Sequence, residues 1–156
     1  MKKLIPALVI VAALAAPRFA QARAVTLTTT LRNFGGYSAY VVLYLMDPQG
    51  QYVRTLWMAG GRPYYYRHLG GWLRASRGDL NGLDGITGAS VGEGRTLTVH
   101  TDIADALIDA GYSIHVDAAS EGMMESPAEI RMPLKAADAG KVEHGRAYIA
   151  RFSYTM

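Results

Sequence analysis

The feature that most constrains this chain is how often its apolar residues fall at every second position. In Val25–Asn33, VTLTTTLRN, the residues Val25, Leu27, Thr29 and Leu31 take one face and threonines the other, which is strand patterning. Tyr40 to Met46, YVVLYLM, is a denser run of β-branched and aromatic residues. The turn residues Asp47-Pro48-Gln49-Gly50 follow, then a second strand from Tyr52 through Met58, so this region predicts a hairpin. Arg95 to His100, Tyr112 to Ala118 and Tyr148 to Tyr154 share the strand character. Glu129 to Leu134 is weaker, and Pro133, which has no N–H for a ladder, assigns it to an edge. The Ala/Asp-rich stretch from Asp102 to Gly111 reads as a loop between strands.

Strands at short intervals without a long helix predict an all-β fold, an immunoglobulin-like two-sheet β-sandwich. One long insert interrupts it. Between Ala59 and Gly94 the chain passes through Gly60-Gly61, Pro63, Tyr64-Tyr65-Tyr66-Arg67-His68, a short helical stretch around Trp72 to Ser76, and the glycine-rich GDLNGLDGITGASVGEG. A connection this long in a compact domain is usually functional or disordered, and its aromatics argue for order. It is expected to lie over one end or edge of the sandwich.

The N-terminus reads as a Sec leader. Lys2 and Lys3 precede an apolar stretch from Leu4 to Ala16, and Ala20-Gln21-Ala22 supplies an A-x-A pattern, so cleavage is expected after Ala22. The apolar run is too short for a bilayer of about 30 Å. This divides the chain into a signal peptide, 1–22, and a single domain, 23–156, expected in the periplasm. The formal charge of +3 is then misleading: removing Lys2, Lys3 and Arg18 from the 16 basic residues leaves 13 to face 13 acidic ones. A near-neutral domain lacks the concentrated positive field that nucleic acid or an anionic membrane selects. The absence of cysteine excludes disulfides, thiolate metal sites and a cysteine nucleophile.

The segment richest in chemistry is Asp84-Gly85-Ile86-Thr87-Gly88-Ala89-Ser90. It resembles the acceptor sequence D-x-x-[ST]-G-A-[ST] that periplasmic flavin transferases modify in the flavin-carrying subunits of redox complexes. The resemblance implies flavin mononucleotide (FMN) joined through a phosphoester to the last hydroxyl residue, here Ser90, where that family more often has Thr. The residue types suit such a site. Gly88 and Ala89 allow another protein's backbone to approach, Thr87 offers a second hydroxyl, and Asp84 a loop cap or a handle for the transferase.

Tyr52-Val53-Arg54-Thr55-Leu56-Trp57, then Trp72-Leu73-Arg74-Ala75-Ser76, then the Asp84–Ser90 motif and a strand from Arg95 are together similar to the periplasmic family catalogued as domain of unknown function 2271. That resemblance covers most of the exported chain. It implies an exported β-rich protein, a flavin transferase as modifying enzyme and a PepSY-type or other membrane redox protein as partner. On it the chain is an electron carrier, substrate of an enzyme rather than a catalyst. The framing of the loop differs from the family pattern: Val91-Gly92-Glu93-Gly94 stands where a proline-rich turn is usual, and Asp102–Leu107 where an Asp-rich turn is usual.

Tyr64, Tyr65, Tyr66 and Trp72 offer aromatic faces for a flavin ring, with Trp72 and Tyr66 preferred as nearest the motif in sequence, and Arg62, Arg67 and Arg74 could neutralise phosphate. The competing reading is that these rings close the core. Two other functions fit the composition: a non-redox immunoglobulin-like module binding protein or glycan through the aromatic insert, and a periplasmic copper or iron protein using His115 with Met132 or Met123-Met124. No histidine pair has metal-site spacing, so no metal ligand is assigned.

Overall fold

The computed structural model describes residues 21–156. Its elements are β1 (Ala22–Leu31), β2 (Tyr40–Met46), β3 (Tyr52–Ala59), α1 (Gly70–Ser76), β4 (Thr87–Gly88), β5 (Thr96–Ala104), β6 (Ser113–Ala119), β7 (Ser126–Pro133) and β8 (Ile149–Thr155). The leader expected over 1–22 lies outside the described residues except at its end. Ala22, expected to be the last residue removed, opens β1 opposite Ala104. No helix among the described residues is long and apolar enough to cross a membrane.

Period-two patterning produces two sheets because each strand has one face to bury. One sheet has the order β5-β1-β8 and the other β4-β3-β2-β6-β7. All pairings are antiparallel except the short one between β3 and β4. The inner faces meet in one core: Val25, Leu27, Val99, Ile149 and Phe152 from the smaller sheet pack against Val41, Leu43, Leu45, Ile114, Val116 and Ile130 from the larger. This is the predicted two-sheet sandwich, divided three and five, whereas the immunoglobulin constant arrangement is four and three.

The strand expectations hold with two changes. β5 continues through Asp102, Ile103 and Ala104, which the sequence assigns to a loop; pairing with Ala22, Arg23 and Ala24 of β1 carries the ladder on, and a 3-10 turn follows only at Asp105–Leu107. β7 is the edge strand predicted from Pro133 but starts earlier, at Ser126, across a bulge where Ala128 has φ 48°.

The insert corrects the sequence expectation more substantially. Its last part supplies the edge strand β4, as an edge position predicts, but its aromatic part lies on the outer face of the five-stranded sheet. Tyr66, Leu69, Trp72 and Leu83 pack on Val42, Tyr44, Met58 and Ala119 as a second core. β2 is therefore buried on both faces, which explains why YVVLYLM reads as a continuous apolar run without alternation.

A polar hub ties this layer to the sheet. Asp117, in β6, is fully buried and accepts hydrogen bonds from the Tyr44 hydroxyl (3.0 Å), the Trp72 amide (2.6 Å) and the Ala128 amide (2.7 Å). One carboxylate thus joins the centre of the sheet, the first turn of α1 and the β7 bulge. Gly71 is required beside it, since a Cβ there would stand 2.6 Å from Asp117 Oδ2. Burial, and then the charge of Asp117, push the Tyr44 hydroxyl far above its ordinary pKa, so it stays a donor.

Candidate functional site

The Asp84–Ser90 segment is woven into the edge of the larger sheet. After a 3-10 turn at Asn81–Leu83, the Ile86 carbonyl accepts the Met58 amide (2.9 Å) and the Gly88 carbonyl accepts the Gly60 amide (2.7 Å). Thr87 and Gly88 thereby run parallel to Met58 and Ala59. Three residues after Gly88, Val91 exchanges both backbone bonds with Ala39, at 2.7 and 2.8 Å. Ala89 and Ser90 form the link between these two anchors. Asp84, Thr87 and Ala89 are exposed; Gly88 and Ser90 are half-buried.

Gly88 has an internal reason to be glycine, beyond the approach of a partner. A Cβ there would stand 2.8 Å from Trp57 Cζ2, so the β4 backbone lies directly on the indole. Gly85, with φ 76°, supplies the left-handed turn into β4.

Ser90 and Ala89 form a ridge between two hollows. One, of about 530 Å³, is walled by Tyr37, Tyr40, Tyr65, Arg62 and Glu121. The other, of about 360 Å³, is walled by Trp57, Arg95, Thr96, Leu97 and the Val91-Gly92 backbone. A larger cleft of about 610 Å³ opens between Phe34, Met123, Met124, Arg146 and Tyr148, and no residue of the Asp84–Ser90 segment lines it.

The structure separates the insert's aromatics. Pro63–His68 is a 3-10 helix, in which successive side chains point about 120° apart. Tyr64 therefore faces solvent, with Arg67 stacked on it at 3.9 Å, while Tyr65 faces the cleft beside Ser90 and Tyr66 enters the core. Trp72 and Tyr66, the two rings preferred from sequence, thus offer no face to a ligand. They are 0% and 4% exposed and meet edge to face at 6.0 Å. Their polar atoms are used internally: Trp72 Nε1 donates to Thr55 Oγ1 (2.8 Å) and the Tyr66 hydroxyl to the Gly60 carbonyl (2.7 Å). Tyr66 still serves the site, because Gly60, whose carbonyl it holds, donates its own amide to the Gly88 carbonyl.

Of Arg62, Arg67 and Arg74, only Arg62 lines the cleft. Beside it the Tyr65 hydroxyl donates to Glu121 Oε1 (3.1 Å), a bond that raises its pKa. Tyr37, Tyr40, Trp57, Arg95 and Glu121 were not foreseen as site residues. Tyr37 and Tyr40 stand some 50 positions before Ser90, and the Ala39–Val91 bridge together with the pairing of β2, β3 and β4 brings them to it.

The histidine and methionine positions do not converge. His115 pairs across the sheet with Arg131, and Met132 pairs with Ile114 and is buried between the sheets. Successive strand residues point to opposite faces, so His115 and Met132 are on opposite sides of the larger sheet. Among the described residues no three His, Cys, Asp or Glu side chains gather where they could hold a metal.

The search of curated proteins and the search of solved structures each found no match. A family model described as "Predicted periplasmic protein (DUF2271)" matches residues 22–151, which is β1 through the start of β8 and includes the whole insert. The chain belongs to this family of predicted periplasmic proteins, the domain of unknown function 2271.

Proposed function

We propose that the protein is a periplasmic electron carrier in which FMN is joined through a phosphoester to Ser90, partnering a PepSY-type or other membrane redox protein. The observation that carries this reading is the presentation of the Asp84–Ser90 motif. Its hydroxyl residue stands on a two-residue link between two backbone anchors, at a sheet edge and next to open hollows. Such a link is accessible to a modifying enzyme yet held in one place, so a group attached to it would keep a fixed position. Thr87 and Asp84 are exposed on the same segment, where a transferase could contact them. The residues around Ser90 fit the group chemically: aromatic faces for a planar ring, and Arg62 and Arg95 for negative charge. When bound, FMN supplies reversible electron uptake; the chain supplies the tether, the faces and the cations.

Intact-mass analysis after periplasmic co-expression with a flavin transferase tests the assignment. The expected result is a gain of one flavin mononucleotide ester and an acid-stable yellow colour, both lost in Ser90→Ala. No gain, or an equal gain in Ser90→Ala, overturns it.

The exposed rings of Tyr37 and Tyr64 favour a second reading, a non-redox binding module for protein or glycan. That module would be colourless, with binding lost on truncation of Tyr37 or Tyr64 and indifferent to Ser90→Ala.

A further inference from the structure

We infer that the ring of a flavin held on Ser90 lies in the tyrosine cleft, stacked against Tyr37 and Tyr65 with Arg62 at its rim, and leaves the Trp57 groove free. The inference rests on the attachment proposed above and adds the place of the ring and the residues that hold it.

Ser90 borders both hollows, so the tether alone does not choose between them. The aromatic faces do. In the groove on the Trp57 side the half-buried indole already has the Gly88 backbone against it, so closely that a Cβ would stand 2.8 Å from Cζ2. The rest of that wall is aliphatic or hydroxylic, Val91, Leu97 and Thr96, with Arg95 the single cation. A planar ring entering there would find one partly covered indole and no second aromatic ring.

The tyrosine side differs in size and in its aromatic faces. It is the larger hollow, about 530 against about 360 Å³. Tyr37 is 73% exposed, so its ring has free surface that a ligand would cover. Tyr65 is held from behind by Tyr40, at 5.5 Å between centroids, and at its hydroxyl by Glu121, so the face is fixed before anything binds. The backbone of Tyr37 is fixed as well, its carbonyl accepting the Ser120 hydroxyl at 2.7 Å. Tyr65 thus offers a face at low ordering cost, and Tyr37 a free ring on a fixed backbone to close over the other side.

Charge alone does not choose, since each hollow has one arginine in no ion pair among the described residues, Arg62 here and Arg95 in the groove, and Glu121 also lines the tyrosine side. Arg62 is exposed and lines the tyrosine cleft alongside Ser90. A cation there would stabilise negative charge on a phosphoester or on a reduced ring.

The experiment uses full-length protein co-expressed with a flavin transferase, purified from the periplasm and checked by intact mass. Stacking on tyrosine quenches flavin emission. The loaded wild type is therefore expected to be several-fold dimmer than the same sample after digestion to a flavin peptide. Tyr65→Leu and Tyr37→Leu should each recover much of that emission, while Trp57→Phe leaves it unchanged. Arg62→Gln should shift the midpoint in a dithionite titration to lower potential. Far-UV circular dichroism confirms that each variant is folded, and Tyr37, being exposed, is the safest of them.

Recovery of emission in Trp57→Phe with none in the tyrosine variants places the ring in the other groove and overturns the inference. Wild-type emission as bright as the peptide's overturns it too. Both outcomes leave the attachment standing, because the mass gain is measured separately; a wild type with no mass gain overturns the attachment and this inference together.

Discussion

The two faces of the five-stranded sheet are built on different principles. On the inner face the larger sheet contributes Val41, Leu43, Leu45, Ile114, Val116 and Ile130, all aliphatic, while the rings of Phe152 and Tyr154 in that core come from the smaller sheet. The outer face meets the insert through Tyr44, Tyr66 and Trp72, and each of these large rings also has a polar atom engaged. Burial of hydrocarbon is non-directional and tolerates substitutions of similar volume. Hydrogen bonds at a buried carboxylate fix angles and positions as well as energy. The inner face therefore accounts for the existence of the sandwich, and the outer face for the exact course of the insert that carries Tyr65, Arg62 and the Ser90 segment.

Removing the hub is the strongest way to break this contrast. Asp117→Leu leaves the Tyr44 hydroxyl and the Trp72 and Ala128 amides buried without an acceptor. At about 1–3 kcal/mol per stranded donor, the loss is about 5 kcal/mol by urea denaturation. A loss near that of a surface substitution would mean that apolar packing alone holds the outer layer.

Matched truncations sharpen the same comparison. Trp72→Ala and Leu43→Ala both empty fully buried sites, and the expected losses are about 3–5 and about 2–5 kcal/mol. Their distribution should differ. Hydrogen exchange is expected to show lost protection across the whole sandwich for Leu43→Ala, but first and mainly over 60–90 for Trp72→Ala. Uniform loss in both variants would show that the two layers form one cooperative unit.

A smaller effect is expected at the junction of the outer layer and the site. Gly88→Ala drives a methyl into Trp57 and should cost about 1–3 kcal/mol, with β4 pushed off β3. Flavin loading on Ser90 should fall in this variant by more than its stability loss explains, since the acceptor segment itself is displaced. Loading equal to wild type would show that the placement of β4 is immaterial to the transferase.

The difference between the faces also sets what the sequence can reveal. The inner face is legible because burial on one side leaves a period-two trace, as in Val25, Leu27 and Leu31. The motif containing Ser90 is legible because its residues are adjacent. What was misplaced depends on long-range pairing. Asp102–Ala104 looks like loop by composition, and only β1 makes it strand. Trp72 and Tyr66 look like available rings, and only the sheet beneath them makes them core. Asp117 carries no local sign that it will accept three bonds. Tyr37 and Tyr40 reach the wall facing Ser90 through the bridge at Ala39 and the pairing of β2, β3 and β4, contacts that no spacing rule anticipates. Within Tyr64-Tyr65-Tyr66 the sequence is uniform, and the 3-10 turn alone assigns solvent, cleft and core.

The gentlest probe of the outer face is pH. His115 lies half-buried beside Tyr44, with ring centroids 5.5 Å apart, its Nε2 3.0 Å from Ser113 Oγ, and Arg131 opposite it in the sheet. Burial, then the charge of Arg131, lower its pKa below the ordinary 6.5, while Asp117 acts in the opposite sense. Below pH 6.5 the unfolded chain therefore binds a proton that the folded protein refuses. Stability on this account is fully present above pH 6.5 and falls as the pH drops below it, until the folded histidine also titrates. One group gives a slope of at most about 1.4 kcal/mol per pH unit. His115→Gln is expected to flatten the urea midpoint between pH 7.5 and 5.5 relative to wild type, with little change at pH 7.5. An identical pH dependence in the two proteins would move the acid sensitivity away from the outer face and remove His115 from the comparison.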